Sequence, residues 1–367
     1  MIATLNLLFP DPKSLLVAYS GGMDSHVLLH ALKNCGIQHT LRAVHINHGL
    51  SPNALQWQEH AEQVCRDLNI PLIIQQLNLN IPKGESIEAV AREARYAYFA
   101  EILQNGEILC TAHHQDDQLE TVLLQLLRGA GPKGLAAMSG FEPFAKGYFA
   151  RPLLNVTYDL ILAYAQDQHL TWITDESNAN TQFDRNFLRH EIIPALKQRF
   201  PKAAQTVSRS AMHCASAQQV IEYYLTKELE NLSGDFPGTL SREKLSELDA
   251  DMQTQVLRTW LTNKNMPMPS TQQLTELQKL IHLKNDVKAV IIWKNHSARL
   301  YRDSLFAQEN SEYNPSKPKV EIRFYKKGEA LNLKKFFQEN NIPTWQRESV
   351  PLIYVNNEFV GIIKMPL

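Results

Sequence analysis

Residues 15–29 read LLVAYSGGMDSHVLL and carry three structural signals in succession. The apolar run from Leu15 to Tyr19 is short enough for a buried strand, and the two glycines after it predict a turn. From Val27 onward, apolar residues recur at helical spacing. The stretch therefore predicts a strand, a glycine-containing loop and a helix, one directly after the other.

The loop of this stretch has the chemistry of a phosphate site. Its backbone N–H groups and those of the first helical turn point at one spot, where the helix dipole adds partial positive charge. Glycine lets an anion approach the backbone closely because it has no Cβ, and Ser20 and Ser25 add hydroxyl groups. A Gly-Gly pair alone would only redirect the chain. The full string SGGxDS is more specific than the pair, and the chain contains no Walker-type Gly-Lys-Ser/Thr.

The composition indicates a soluble globular protein of two or three domains, since 367 residues exceed the size of one small core. The four cysteines form no CxxC pair, so neither a disulfide framework nor a zinc ribbon is indicated. The chain also has no uninterrupted apolar stretch of the roughly 18 residues that span a bilayer. We therefore expect a cytoplasmic protein with no membrane partner.

From residue 13 to about 155, predicted strands alternate with predicted helices. The strands are expected at 15–19, 41–47, 71–79 and 107–111, with a further short strand ending at 151–153. This alternation predicts an α/β fold with a doubly wound parallel sheet, whose ligands bind beyond the carboxyl ends of the strands. The SGGxDS loop lies at such an end.

A second polar motif, TAHHQDDQLET at residues 111–121, follows the fourth predicted strand. On a helix that starts near Asp117, the side chains of His113, Asp117 and Glu120 can converge. One acidic residue would suffice to stabilise a first helical turn, and this segment has three carboxylates and two histidines. The pattern favours a magnesium contact and polarisation of the reacting groups.

Two other motifs are weaker. His45 and His48 are three residues apart, but the segment lacks the glutamate of HExxH and has no cysteine close by, so a packed histidine or a loop of the nucleotide pocket competes with zinc. The string GAGPKG at 129–134 matches GxGxxG, but it follows a helix instead of a strand and contains Pro132. We interpret it as a helix stop with a flexible basic loop.

Positive charge concentrates in two segments. Residues 181–214 and residues 315–367 each carry a net charge of +4, which is typical of a surface that faces a polyanion and also of a solvated helix face. In the first segment, Arg185 and Arg189 fall on one helical face, and we interpret them as phosphate contacts, to ATP or to RNA.

The motifs as an ordered set resemble one family. SGGxDS, HGL, AREARY, TAHHQDDQLET, RGAGPKGL, RPLL, DESN and DRNFLR follow in the order seen in the tRNA(Ile)-lysidine synthetases, which belong to the PP-loop ATP pyrophosphatases. The match is dense over residues 15 to about 200 and returns in LKKFF at 333–337 and IPTWQR at 342–347. The resemblance implies a catalytic PP-loop domain at 1–200, a mainly helical tRNA-contacting domain at 201–313 with a long helix at 197–229, and a small α+β tRNA-binding domain at 314–367.

The resemblance also implies a reaction. ATP adenylates the C2 carbonyl oxygen of the wobble cytidine in the tRNA(Ile) with a CAU anticodon, and pyrophosphate leaves. The amino group of L-lysine then attacks C2 and AMP leaves, so that the base becomes lysidine and decoding changes from AUG to AUA. A homodimer is one of the assemblies that the sequence leaves open.

The same resemblance assigns roles to residues of this chain. ATP binding falls to Ser20, Gly21, Gly22, Met23, Asp24 and Ser25, and Mg²⁺ to Asp24 and Asp117. The implied catalytic residues are Asp24, Arg95, His113, Asp117 and Arg185, and the implied tRNA contacts are Arg189, Lys334, Lys335 and Arg347. The proton of the attacking lysine can go to His113 or to Asp117.

Three other readings share some of these features. A tRNA thiolase, another PP-loop tRNA-modifying enzyme, commonly uses CxxC cysteines, which this chain lacks. A glutamine-dependent amidotransferase begins with a cysteine after Met1, where this chain has Ile2. A non-catalytic ATP-dependent RNA-binding module is disfavoured by the intact carboxylates, which are Asp24, Asp116, Asp117 and Glu120.

Overall fold

The computed structural model divides into two compact units, Met1–Tyr223 and Tyr224–Leu367. The residues that it describes are 2–9, 11, 13–47, 49, 53–77, 87–174, 176, 180–282, 289–310, 320–324, 333, 337–338, 342, 344, 347, 350–355 and 358–362. Among these residues, no helix is long and apolar enough to cross a membrane.

The first unit contains a six-stranded sheet in the order β3-β2-β1-β4-β6-β5. Its strands are β1 (Ser14–Ala18), β2 (Thr40–Asn47), β3 (Leu72–Gln76), β4 (Ile108–Cys110), β5 (Phe141–Phe144) and β6 (Gly147–Ala150). All neighbours are parallel except β5 and β6, which form an antiparallel hairpin. The predicted parallel sheet is confirmed, whereas the sequence predicted only one strand where the hairpin lies.

Helices cover both faces of this sheet. They are α1 (Ile2–Leu8), α2 (Met23–Lys33), α3 (Ala54–Asp67), α4 (Ile87–Ile102), α5 (Gln115–Leu127), α6 (Pro132–Leu135) and α7 (Tyr158–Asp167). Successive β1 side chains enter different cores. Leu15 and Val17 pack with α2, α3 and α7. Leu16 packs on the other face with Phe99 of α4 and with Leu103, the residue after that helix. A strand buried on both faces must be apolar throughout, which is why residues 15–19 form a continuous apolar run.

The end of the first unit departs from the predicted long helix. The chain forms α8 (Asp184–Phe187), a π-helical stretch (Leu188–Ile192), α9 (Ile193–Arg199) and α10 (Ala203–Asn231). The prediction of one helix over 197–229 is wrong at its start, because Phe200 precedes Pro201 and leaves the helical region at φ −128° and ψ 81°. The loop at 129–134 also differs in part: Gly129 ends α5 with a φ of +71°, but Pro132 then opens α6 in its first turn.

The second unit begins within α10, and its described residues form two antiparallel sheets. Its first part comprises β7 (Leu240–Ser241), α11 (Arg242–Ser246), α12 (Ala250–Asn263), α13 (Thr271–Ile281), β8 (Val290–Trp293), β9 (His296–Tyr301) and β10 (Ser304–Glu309), with the strands in the order β7-β10-β9-β8. Its last part pairs β11 (Val320–Phe324), β12 (Pro351–Val355) and β13 (Glu358–Ile362) around a core that includes Phe337 and Leu352. The helical middle and the small C-terminal α+β part agree with the predicted fold class.

Candidate active site

The loop after β1 has the backbone shape that its glycines predict. Gly21 has a φ of +87°, and a Cβ at this position would also lie 3.3 Å from Cδ1 of Ile173. Gly22 is the N-cap of α2, and no side chain of the described residues caps that helix. The N–H groups of the first turn are thus left without a side-chain partner at the carboxyl end of β1, as an anion site requires.

The two serines of the loop bond to the loop itself. The Ser25 hydroxyl donates to the Gly22 carbonyl oxygen at 3.0 Å, and the hydroxyl oxygens of Ser20 and Ser25 lie 3.0 Å apart. The backbone N–H of Ser20 donates to Ser25 Oγ at 3.2 Å, and that of Gly22 to Ser20 Oγ at 3.3 Å. The hydroxyls therefore hold the loop in shape, and the contribution to an anion comes from the backbone.

The second side of the site is the start of α5, directly after β4. His114 is the N-cap of α5. Its ring Nδ1 accepts from the backbone N–H of Asp116 at 3.2 Å, and its backbone N–H donates to Asp117 Oδ2 at 2.9 Å. Nε2 of the same ring lies 3.5 Å from Asp117 Oδ2 and 3.8 Å from Asp24 Oδ2. Because β1 and β4 are neighbours, the loop after one and the helix after the other meet at His114.

Two arginines close the site from the far end of the first unit. Arg189 donates through Nε to Glu120 Oε1 at 2.6 Å, and Arg185 through Nε to Glu120 Oε2 at 2.7 Å. Their Nη2 atoms reach Asp117 Oδ1 at 3.0 and 3.2 Å, respectively. Each guanidinium thus binds both carboxylates of α5. The neighbouring Lys197 pairs with Asp116.

The pKa values of the two candidate magnesium carboxylates are shifted in opposite directions. Burial alone would raise the pKa of Asp117, but His114, Arg185 and the backbone N–H of His114 bring it below its ordinary value. Burial raises the pKa of Asp24, an effect that His114 opposes. Asp24 Oδ1 is buried and accepts no hydrogen bond from the residues described. An oxygen in that state fits a cation ligand.

Two carboxylates are a sufficient protein contribution for magnesium. Mg²⁺ keeps several waters and is usually bound by one or two carboxylates together with substrate phosphates. This agrees with the finding that no group of three or more His, Cys, Asp or Glu side chains suited to a metal occurs among the described residues. Asp24 and Asp117 therefore fit the ion.

His113 and His45 are neutral at pH 7. Burial lowers the pKa of His113 well below its usual range, and Arg151, Arg185 and Arg92 lower it further against the effect of Asp117. Nδ1 of His113 lies 2.8 Å from the Thr111 hydroxyl. Burial likewise lowers the pKa of His45, whose Nδ1 donates to the carbonyl oxygen of Tyr19 at 3.0 Å. His45 is therefore a packed histidine, and His48 lies outside the described residues.

The chain matches three family models along its length. Residues 3–196 match a PP-loop domain, 240–306 a TilS substrate binding domain and 313–366 a TilS substrate C-terminal domain. It is 37% identical to the tRNA(Ile)-lysidine synthase of Coxiella burnetii over 95% of this chain and 88% of that one. It is 35% identical to the protein of that name from Legionella pneumophila strain Lens, over 96% and 91%. The chain belongs to the tRNA(Ile)-lysidine synthase family.

Among solved structures, this tRNA(Ile)-lysidine synthase family member is similar to the U34-tRNA thiolase NcsA of Methanococcus maripaludis. The two are 17% identical, with a TM-score of 0.48, over 58% of this chain and 76% of that one.

The structure brings most of the implied catalytic residues together. Asp24 and Asp117 flank His114, and Arg185 binds Asp117 and Glu120. Arg189, which the family resemblance assigned to tRNA, lies in this same cluster. Arg95 lies on α4, where its guanidinium carbon is 5.6 Å from the centre of the Tyr96 ring.

The implied tRNA contacts near the C-terminus are placed only in part. Arg347 donates through Nε to the carbonyl oxygen of Ile342 at 3.1 Å and lies 5.4 Å from the ring centre of Phe337. Lys334 and Lys335 lie outside the described residues.

Sequence reasoning missed His114 and overestimated one basic surface. Of the two adjacent histidines, only His114 stands three residues before Asp117, the spacing of a capping box, and this signal was present in the sequence. In the segment 181–214, the cations Arg185, Arg189 and Lys197 pair with carboxylates of α5. Less of that positive charge is available to a polyanion than its sequence count indicates.

Proposed function

We propose that this chain converts the wobble cytidine of the tRNA(Ile) with a CAU anticodon to lysidine, using ATP and L-lysine. The proposal is supported by relatives named tRNA(Ile)-lysidine synthase that align with nearly the whole chain. The observation that carries it is the meeting of the SGGxDS loop with the α5 carboxylates and their arginines beyond β1 and β4. A phosphate site next to carboxylates and arginines suits the adenylation of a carbonyl oxygen.

The loop from Ser20 to Ser25 is the proposed site of the ATP phosphates. The serine hydroxyls bond within the loop and hold its backbone in shape. The start of α2 adds the positive end of a helix dipole, which favours a negatively charged group. Pyrophosphate can thus be held while it leaves, with no reordering of the loop.

Asp24 and Asp117 are the proposed holders of Mg²⁺. The buried, unbonded Asp24 Oδ1 and the ionised Asp117 supply oxygen ligands of the kind that this ion prefers. When bound, the ion would neutralise phosphate charge and so favour departure of pyrophosphate.

Arg185 and Arg189 are proposed to stabilise negative charge that develops on the phosphates. Their side chains remain 28% and 37% exposed while Glu120 holds their Nε atoms. Donors oriented before the reaction need not reorganise as charge develops, which is the main advantage of a preorganised site. We therefore place Arg189 in catalysis instead of in tRNA binding.

His113 is the proposed acceptor of the proton that the lysine amine loses as it attacks C2. The ring is neutral at pH 7, whereas both oxygens of Asp117 already accept hydrogen bonds. The lowered pKa makes the ring a weak base, which releases the proton readily after accepting it.

The test is incorporation of labelled lysine into an unmodified tRNA(Ile) transcript with CAU, with ATP and Mg²⁺, and with the tRNA(Met) of the same anticodon as control. The wild type should label tRNA(Ile) alone and form AMP. Asp24→Ala should form no AMP, and His113→Ala should adenylate the RNA but incorporate lysine slowly. AMP formation without lysine incorporation by the wild type would make lysine the wrong nucleophile, and no AMP at all would refute the ligase.

A further inference from the structure

His114 lies at the centre of the site with both ring nitrogens directed at polar atoms. The residue is only 5% exposed, and its ring contacts that of Tyr158 at a centroid distance of 5.9 Å. Nδ1 accepts from a backbone N–H, so in the neutral ring the proton is on Nε2. That N–H edge faces Asp24 on one side and Asp117 on the other.

The Asp24 and Asp117 carboxylates repel each other unless a positive or dipolar group lies between them. Asp24 is carried by α2 and Asp117 by α5, and like charges at close range repel each other. An N–H dipole directed between them offsets that repulsion. Its distances of 3.5 and 3.8 Å to the two Oδ2 atoms exceed those of a tight hydrogen bond, so the oxygens keep lone pairs for a further ligand.

His114 itself is poorly suited to be a metal ligand. An imidazole coordinates through a nitrogen lone pair, and in this ring Nδ1 is engaged by Asp116 N while Nε2 carries the proton. The side chain can orient the ligands on either side without occupying a coordination position.

We propose that His114 is a positioning residue, which sets the separation of the Asp24 and Asp117 carboxylates for a divalent cation. The inference rests on the proposed function, because it takes that pair as the magnesium site. It differs from the role of an N-cap, which His114 also fills and which by itself would affect only the stability of α5.

Two substitutions separate the two roles. In His114→Asn the side-chain oxygen replaces Nδ1 as cap acceptor, since asparagine is a favoured N-cap, but nothing reaches the position of Nε2. In His114→Gln the amide N–H reaches the position of Nε2, and the acceptor of the cap is lost. The Asn variant keeps the N-cap but has no N–H between Asp24 and Asp117. The Gln variant keeps that N–H but has no N-cap acceptor.

The experiment measures Mn²⁺ binding to the full chain in the presence of α,β-methylene-ATP, by the electron paramagnetic resonance signal of free Mn²⁺, together with thermal midpoints. His114→Asn should weaken Mn²⁺ binding roughly 10- to 100-fold, as the loss of residues that orient metal ligands does, with a nearly unchanged midpoint. His114→Gln should retain Mn²⁺ binding and melt roughly 2–4 °C lower. The Mg²⁺ concentration for half-maximal AMP formation should follow the Mn²⁺ affinities.

The proposal is overturned if the Asn variant binds Mn²⁺ like the wild type, or if the Gln variant loses as much affinity as the Asn variant. An Asn variant that fails to fold also overturns it, because the cap is preserved there. Absence of Mn²⁺ binding to the wild type has the same consequence. A wild type that binds Mn²⁺ but forms no AMP with tRNA(Ile) refutes the proposed function instead and leaves the comparison of variants valid.

Discussion

Two glutamates of the first unit, Glu107 and Glu120, have the same burial and opposite surroundings. Each side chain is 1% exposed, and each pairs with arginine. Glu107 directly precedes β4 at the amino end of the strand, whereas Glu120 lies on α5 beyond its carboxyl end. Burial and ion pairing alone therefore do not distinguish a structural carboxylate from a functional one.

The partners of Glu107 belong to the sheet and its connections. Arg42 on β2 donates to both carboxylate oxygens, at 2.7 and 2.6 Å, and the backbone N–H of Gln104 donates at 2.9 Å. A Cβ on Gly147 of β6 would lie 2.1 Å from the Glu107 carbonyl oxygen, so the neighbouring strand packs directly against this residue. The cluster thus joins β2, the residues before β4, and β6.

The partners of Glu120 come from outside the sheet and reach solvent. Arg185 and Arg189 are 28% and 37% exposed, against 20% for Arg42, and they are shared with Asp117. The comparison teaches that two features mark the Glu120 cluster as the candidate functional one: the greater exposure of its arginines and its position beyond the carboxyl ends of the strands.

Glu120→Gln should have the largest effect of the changes that probe this contrast. It removes the charge that orients two arginines, so AMP formation should fall by roughly 100- to 1000-fold, the loss typical of a preorganised transition-state contact. The thermal midpoint should change little, because Asp117 and solvent still serve both guanidinium groups. The rate is measured at saturating ATP and tRNA, and a rate near that of the wild type would contradict the assigned role.

Glu107→Gln is the matched control and should show the reverse. Leaving Arg42 without its buried partner should cost about 3 kcal/mol, which for a domain of this size lowers the thermal midpoint by roughly 6–12 °C. AMP formation per folded molecule should be unchanged. A loss of rate without a loss of stability would show that the contrast between the two clusters is false.

The stability gap between the wild type and Glu107→Gln should depend on pH only in the acid range. Burial alone would raise the pKa of Glu107, but the hydrogen bonds and charge of Arg42 and the Gln104 N–H bring it below its ordinary value. A group with a lowered folded pKa stabilises fully above its unfolded pKa of about 4.3, and this stabilisation is lost as the pH falls through the folded pKa. Urea unfolding should give a constant gap from neutral pH to about 5.5 that shrinks below about 4. A gap that already shrinks near neutral pH would assign the effect to another group.

Much of the site could be predicted from the sequence because its signals are local. The apolar run, the paired glycines and the helical spacing after them lie close together, within residues 15–29 or just beyond, and they predict a strand, a turn and a helix. The rule that ligands bind beyond the carboxyl ends of parallel strands then placed Asp24 near Asp117.

The rest depends on contacts between distant residues and on backbone irregularities. Arg185 and Arg189 meet Glu120 across 65 and 69 residues, and no local pattern distinguishes a cation that binds RNA from one that binds a buried carboxylate. The antiparallel β5–β6 hairpin and the break at Phe200 were missed for the related reason that short strands and helix ends are decided by packing and by single residues.

The number of residues in the π-helical stretch Leu188–Ile192 determines which way the side chains after it face. In a regular α-helix, Arg189 and Lys197, which are eight positions apart, would have their side chains about 80° apart around the axis. A π turn holds an additional residue, so each residue advances by a smaller angle, and both cations come to face α5. Loss of one residue from this stretch would turn Lys197 away from Asp116 without altering either side chain. In evolution, this segment should therefore accept exchanges of residues more readily than insertions or deletions.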